Sequence, residues 1–132
     1  MNIKHSVIQQ LIQHAQSEAP IEACGYLAEQ EGIVTAAFRM KNVDASPEHF
    51  SFDPAEQFAT VRQMRTTGMR LRAVYHSHPA TPARPSAEDI RLANDPSLSY
   101  VIVSLANTQP DVKSFHIRDG QVAMEALHVI ED

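Results

Sequence analysis

A hydrophobic segment that ends in two closely spaced histidines places the strongest constraint on how this chain folds. Residues 71–75 are mostly apolar, and His76-Ser77-His78 follows them directly. The apolar run predicts a strand over 70–78, in which successive side chains point to opposite faces of the sheet. His76 and His78 therefore share one face, where both imidazoles can reach the same cation. Two ordinary core or surface histidines would give the same short pattern.

A proline-rich loop and a helix start follow the two histidines. The loop contains Pro79, Pro82 and Pro85. Fixed proline backbone angles favour a rigid connector that holds a site in register, although they would equally shape a surface turn. Ser86 suits the N-cap of the next helix, and Asp89 can complete a capping box with it.

The carboxylate of Asp89 has a second potential use. Brought back by the loop, it would be a third protein ligand for a cation between His76 and His78. Three protein ligands with a fourth position left for water are typical of catalytic zinc sites, whereas structural sites have four protein ligands. The oxygens of one carboxylate cannot all serve both a helix cap and a metal, so the sequence leaves both interpretations open.

The periodicity of the remaining segments predicts a mixed α/β domain. We expect, in order, helix 4–18, a hairpin over 21–40 with its turn at Glu31-Gly32, a short strand near 49–52, helix 54–67, strand 70–78, helix 86–94, buried strand 99–106, and a final hairpin, 111–118 and 121–130, around Asp119-Gly120. His5 and His14 in the first helix are expected to face solvent. Phe58 in the second helix is expected to be buried, and Gly25 inside a strand indicates a close approach of the backbone.

The bulk composition excludes several classes of protein. A chain of 132 residues with 43% hydrophobic and 20% charged residues is typical of one globular domain with its own core. The net charge of −5, with no run of lysine or arginine, argues against a nucleic-acid partner. The first residues lack the apolar stretch of a secretion signal, and no segment is long and apolar enough to span a membrane. We therefore expect a cytoplasmic protein without a membrane partner.

Several other hydrolase and metal-site classes fail on residue type. Cys24 is the only cysteine, which excludes an intramolecular disulfide, a cysteine-rich zinc cluster and the paired cysteine ligands of nucleobase deaminases. The His-Glu-x-x-His motif of helical zinc proteases is absent, and no glycine-rich phosphate loop is present. We expect Cys24 to pack in the core rather than to act as a nucleophile.

Five residues in a fixed order give the strongest indication of function. They are, along the chain, Glu22, His76, His78, Ser86 and Asp89. A serine separates the histidines, a proline follows them, seven residues precede Ser86 and two more precede Asp89. This pattern resembles the motif of the JAMM (MPN+) metallopeptidase family at every position. The first predicted strand also resembles that of small bacterial and archaeal members, and the similarity extends over nearly the whole chain.

The resemblance implies roles for these five residues. His76, His78 and Asp89 would bind Zn²⁺, and a zinc ion lowers the pKa of a bound water to about 7. Glu22 would act as the general base toward that water and later as the general acid toward the leaving amine. Ser86 would help to stabilise the tetrahedral oxyanion.

The resemblance also implies a fold and a class of substrate. The expected fold is a curved, mostly antiparallel sheet flanked by helices, similar to MPN and cytidine-deaminase-like domains, in a single JAMM/MPN domain over residues 1–132. The family hydrolyses amide or isopeptide bonds at the C-terminus of ubiquitin-like proteins, and small prokaryotic members are associated with sulfur carriers. We therefore expect a ubiquitin-like or sulfur-carrier protein substrate whose extended Gly-Gly-type tail lies beside a strand edge by β-augmentation.

Two alternatives to this function remain open at the level of the sequence. One is a cell-wall or phage-tail-type peptidase, because JAMM domains also occur in tail-assembly proteins. The other is a non-catalytic MPN scaffold or binding module, the role of family members that lack the ligands. Neither the oligomeric state nor the individual substrate can be predicted from the residues.

Overall fold

The structure, a computed structural model, describes all 132 residues and contains three helices and eight strands. The helices are α1 (His5–Glu18), α2 (Pro54–Thr66) and α3 (Ala87–Leu92). The strands are β1 (Asn2–Lys4), β2 (Cys24–Gln30), β3 (Ile33–Met40), β4 (Arg70–His78), β5 (Ser99–Ser104), β6 (Asp111–Arg118), β7 (Gln121–Glu125) and β8 (His128–Ile130). None of the helices combines the length and the hydrophobicity needed to cross a membrane.

All eight strands form one sheet in the order β7-β6-β5-β4-β2-β3-β1-β8. Four neighbouring pairs are antiparallel, namely β2–β3, β2–β4, β5–β6 and β6–β7. Three pairs are parallel, namely β1–β3, β1–β8 and β4–β5. The prediction of a mixed α/β fold built on a curved, mostly antiparallel sheet is confirmed. β4 lies between β2 and β5, so the strand that carries the two histidines is supported on both sides.

Helix α1 covers one face of the sheet. Its apolar stripe joins a core cluster of Ile3, Val7, Leu11, Ala15, Leu27, Val34, Ala73, Tyr75, Val101 and Val103. His14 belongs to this stripe because it lies three residues after Leu11, and it is only 3% exposed. The expectation that His14 faces solvent was therefore wrong. Its Nδ1 atom lies 2.8 Å from the hydroxyl oxygen of Tyr75, whereas His5 is exposed as expected.

Helix α2 and the loop before it cover the opposite face. The core cluster on this face consists of Tyr26, Ala28, Met40 and Met64. Since strand side chains alternate, β4 directs Tyr75 toward α1 and His76 and His78 toward the α2 face. The histidine pair thus lies on the face that the long loop between β3 and α2 also reaches.

Several predictions were wrong in detail. Phe58 is 66% exposed, because the buried side of α2 is the side that carries Thr60 and Met64. Residues 49–52 alternate like a strand but form the closing arm of a loop, in which the carbonyl of Ser51 accepts a hydrogen bond from another loop residue. The final hairpin ends with β7, and the chain then crosses to pair β8 with β1 at the other edge of the sheet.

Gly25 is a point of close approach between β2 and its neighbours, as predicted. A Cβ atom at this position would collide with the carbonyl oxygen of Phe38 in β3 and lie 2.5 Å from Cε2 of Tyr75. Both neighbours are fixed, the first by the sheet and the second by burial against α1. Only a residue without a side chain fits between them.

We expect Gly25→Ala to lower the free energy of unfolding by about 1–3 kcal/mol, because an added methyl group in a packed position forces the backbone apart. Urea or thermal unfolding followed by circular dichroism would measure the change. Ala123→Ser, on the exposed face of β7, is a suitable control and should stay within about 0.5 kcal/mol of the wild type. An unchanged unfolding midpoint for Gly25→Ala would contradict the packing described here.

Candidate metal centre

Strand β4 brings both histidines into one buried corner of the molecule. His76 and His78 are 3% and 5% exposed, and their Nε2 atoms lie 3.1 Å apart. Ser77, between them, faces the segment that precedes β2. The N–H of Ala23 donates to the Ser77 hydroxyl oxygen (2.7 Å), and the N–H of Ser77 donates to the Ala23 carbonyl (2.9 Å). These two bonds hold Glu22, the next residue back along the chain, beside the histidine pair.

Asp89 meets both histidines from the first turn of α3. Its Oδ2 atom lies 3.1 Å from Nε2 of His76 and 3.1 Å from Nε2 of His78. The same oxygen accepts a hydrogen bond from the N–H of Ser86, whose hydroxyl oxygen accepts one from the N–H of Asp89. The capping box and the convergence on the histidines therefore occur together. Burial opposes ionisation of Asp89, but the hydrogen bonds and charges of the imidazoles hold its pKa well below the usual range.

The three converging atoms have the spacing of a metal site. Nε2 of His76, Nε2 of His78 and Oδ2 of Asp89 form a triangle whose three sides are 3.1 Å. Ligand atoms at about 2.0 Å from a tetrahedral zinc ion are about 3.3 Å apart, so the triangle matches one face of such a tetrahedron. The three side chains thus form a group able to hold a metal ion.

Both imidazole rings are held in place by contacts outside the triangle. Nδ1 of His78 lies 2.9 Å from the carbonyl oxygen of Pro82 in the proline-rich loop. Because a carbonyl can only accept, Nδ1 of His78 carries a proton, and Nε2 is the ring nitrogen left to bind a metal. The ring of His76 stacks on Phe50, with ring centroids 4.7 Å apart and an angle of 26° between the planes.

Glu22 lies beside this triangle, two residues before β2 begins. It is 3% exposed, and its N–H donates to the carbonyl of Ser46 (2.9 Å). Its Oε1 atom is buried and has no hydrogen-bond partner. Burial raises the pKa of the Glu22 carboxyl to about 8, and the nearby charge of His78 opposes part of that rise. A buried carboxyl oxygen without a donor costs stability, and carboxyls with a strongly shifted pKa are frequent at functional sites.

Asn42 organises the loop over this corner, and sequence reasoning gave it no role. Its side-chain amide donates to the carbonyls of Glu22 (3.1 Å) and His49 (3.0 Å). Its Oδ1 atom accepts from the N–H groups of Asp44 (3.1 Å) and Ser51 (3.3 Å). One buried side chain thus satisfies four hydrogen bonds and sets the shape of the loop that also carries the ring stacked on His76. An isolated asparagine in a polar segment gives no sequence signal for such a position.

An apolar cleft opens beside His76 and Asp89. It has a volume of about 320 Å³, and its apolar walls include Tyr26, Phe50, Phe52, Leu71, Val74, Leu92, Leu98, Tyr100, Ile102 and Ile117. The loop over the site, the outer face of the sheet and helix α3 each contribute to these walls. A concave, mostly apolar surface that ends at a few converging polar atoms is the usual form of a substrate site.

Cys24 has no part in this chemistry. It is fully buried, and burial raises the pKa of its thiol to about 12. A thiolate nucleophile is therefore not available at neutral pH. The predicted packing role of Cys24 is confirmed.

The fold is shared with solved structures. A protein of Desulfitobacterium hafniense, solved in solution, is 45% identical and superposes with a TM-score of 0.91 over 99% of this chain and 93% of that one. A structure presented as "JAMM: A Metalloprotease-like Zinc Site in the Proteasome and Signalosome" is 20% identical and superposes with a TM-score of 0.66 over 99% of this chain and 98% of that one. The second likeness concerns the fold alone.

Curated relatives and a family match complete the comparison. The CysO-cysteine peptidase of Mycobacterium tuberculosis is 35% identical in an alignment of length 132 that covers 98% of this chain and 90% of that protein. The desampylase of Haloferax volcanii is 33% identical over 104 residues, which cover 76% of this chain and 75% of that protein. Residues 4–118 match the family described as prokaryotic homologues of the JAB domain. The resemblance seen in the motif is thereby confirmed, and the chain belongs to the family of prokaryotic homologues of the JAB domain.

Proposed function

We propose that this chain is a zinc-dependent peptidase that hydrolyses an amide or isopeptide bond at the C-terminal tail of a ubiquitin-like or sulfur-carrier protein. The observation that carries the proposal is the triangle of His76, His78 and Asp89 beside an unpartnered oxygen of Glu22. Relatives named as a peptidase and a desampylase support a hydrolase. The proposed unit is a single domain over residues 1–132.

The donor set supports zinc as the metal. Two imidazole nitrogens and one carboxylate oxygen suit zinc, whereas calcium and magnesium prefer oxygen ligands. His76, His78 and Asp89 would hold the ion and leave a fourth position, as catalytic zinc sites do. A zinc ion there supplies a Lewis acid that polarises a carbonyl and lowers the pKa of water toward neutrality.

Glu22 would move the proton during hydrolysis. Its unpartnered Oε1 can accept a proton from the attacking water, and the protonated carboxyl can then donate to the nitrogen of the leaving amine. A dication held by the neighbouring triangle would favour the ionised form of Glu22, which is the form a base requires. The hydrogen bond from Asn42 to the Glu22 carbonyl keeps this segment in place.

Ser86 and the apolar cleft would act on the rest of the substrate. The hydroxyl oxygen of Ser86 accepts from the N–H of Asp89, so its own hydrogen remains available to stabilise an oxyanion. The cleft beside His76 would take the tail on the acyl side of the bond. A Gly-Gly-type tail suits this arrangement because residues without side chains can approach a buried corner closely.

We expect purified protein supplied with zinc to hold about one zinc ion per chain, and His76→Ala or His78→Ala to lose both zinc and peptide hydrolysis. The reason is that two remaining ligands do not make a tight site. The metal is measured by elemental analysis of the wild type, the two variants and a control. The control is His128→Ala, which replaces an exposed histidine in β8. A wild type that takes up no zinc would refute the metal centre and leave a non-catalytic scaffold.

We expect Glu22→Gln to keep its zinc but to lose about 10²–10⁴-fold in kcat, because the amide has the same shape but cannot take up a proton. Rates on a carrier-tail substrate and zinc content are measured on the same preparation. Glu48→Gln, an exposed carboxylate on the loop near the site, is the matched control and should change neither. Full activity of Glu22→Gln would remove Glu22 from the mechanism.

A further inference from the structure

Strand pairing does not fix the main chain of Glu22, which lies two residues before β2 begins. The two hydrogen bonds to Ser77 are made by Ala23, the residue between Glu22 and the strand. The main-chain groups of Glu22 are bonded to the loop between β3 and α2 instead. Its N–H donates to the carbonyl of Ser46 (2.9 Å), and its carbonyl accepts from Nδ2 of Asn42 (3.1 Å). The place of Glu22 therefore depends on the shape of this loop.

The two ends of the Asn42 amide make different contacts. Its Oδ1 atom accepts from the N–H groups of Asp44 (3.1 Å) and Ser51 (3.3 Å), which closes the loop on itself. Its Nδ2 atom donates to the carbonyls of Glu22 (3.1 Å) and His49 (3.0 Å), which joins the closed loop to the segment before β2. Asn42 is only 8% exposed, so these bonds are shielded from water.

The loop that Asn42 closes also contacts one member of the metal-binding triangle. Phe50, whose ring stacks on His76 with centroids 4.7 Å apart, lies between the two residues that Asn42 bonds at the end of the loop, His49 and Ser51. One buried amide thus connects the segment of Glu22 with a side chain packed on the triangle. Such a connection matters for a reaction, because a misplacement of about 1 Å can cost about 10²-fold in rate.

We propose that Asn42 is a positioning residue for the hydrolysis, an inference that rests on the proposed function. Its amide holds Glu22 where the carboxyl reaches the attacking water and the leaving nitrogen. Asn42 makes no hydrogen bond to the triangle itself, so its effect on the reaction passes through Glu22. Loss of the amide donor is therefore expected to slow the chemical step and to leave the metal in place.

Asn42→Asp separates the two ends of the amide. The carboxylate keeps an oxygen for the N–H groups of Asp44 and Ser51, but it presents its second oxygen to the carbonyl of Glu22, where a donor is required. We expect kcat to fall by about 10–100-fold, with KM and zinc content unchanged. Rates on a carrier-tail substrate and elemental analysis are obtained from the same preparation.

Asn2→Asp is the matched control, because it makes the same chemical change at an exposed position of β1 and should alter neither kcat nor zinc content. Circular dichroism checks that each variant is folded. If Asn42→Asp does not fold, Asn42→Ala, which buries no charge, replaces it in every measurement. A folded Asn42 variant with the kcat of the wild type would contradict the positioning role.

A double-mutant cycle with Glu22→Gln separates positioning from a general weakening of the site. If Asn42 acts through Glu22, Asn42→Asp slows the Glu22→Gln enzyme by less than about twofold, because the carboxyl that it positions is already absent. The same substitution in the wild type gives the full loss. An equal loss of kcat in both backgrounds is the result of a merely structural role and would overturn the proposal.

Hydrogen exchange keeps the positioning role testable if the wild type cleaves no carrier tail, a result that counts against the proposed function instead. We expect the N–H of Glu22 to exchange at least about tenfold faster in Asn42→Asp than in the wild type, because its loop partner is released. The N–H of Leu27, in the part of β2 paired on both sides, should keep its rate. Equal exchange of the Glu22 N–H in both proteins would rule out the positioning role independently of turnover.

Discussion

The pairing of β2 with β4 is the constraint on which the rest of the site depends. Ser77 extends this pairing beyond the end of β2 through two hydrogen bonds to Ala23. Glu22 therefore lies beside the histidines although the two segments are far apart in the sequence. A shift of one residue in β4 would turn both histidines to the α1 face, because strand side chains alternate. The tight fit at Gly25 leaves no room for β2 to move sideways.

Burial raises the pKa of Glu22, and local hydrogen bonds offset the free-energy cost of burying the other polar side chains of the site. Buried polar groups cost free energy unless each has a partner. Asp89 has Ser86, His78 has the carbonyl of Pro82, and Asn42 satisfies four groups of the covering loop. Oε1 of Glu22 is the buried side-chain oxygen left without one. The structure thus concentrates its unsatisfied polarity at the atom from which the chemistry would begin.

The parts of the site that could be predicted are those set by interactions between residues close together in the sequence. His76, His78 and Asp89 could be grouped from the sequence because strand alternation and helix capping are local rules. Glu22 was reached only through the family resemblance, since no local pattern reports which strands pair. Asn42 was missed because its importance comes from four partners that folding assembles.

The same distinction explains the errors in the fold. Strands β1 and β8 have three residues each, too few for a periodic signal, and they pair across the ends of the chain. Residues 49–52 alternate as a strand would, but hydrogen bonds that join His49 and Ser51 to the Asn42 side chain hold them in a loop. The burial of His14, by contrast, could have been predicted, because His14 lies on the same helical stripe as Leu11. The sequence interpretation placed His14 in solvent because histidine is polar. In the structure its hydrogen bond to Tyr75 satisfies that polarity inside the core.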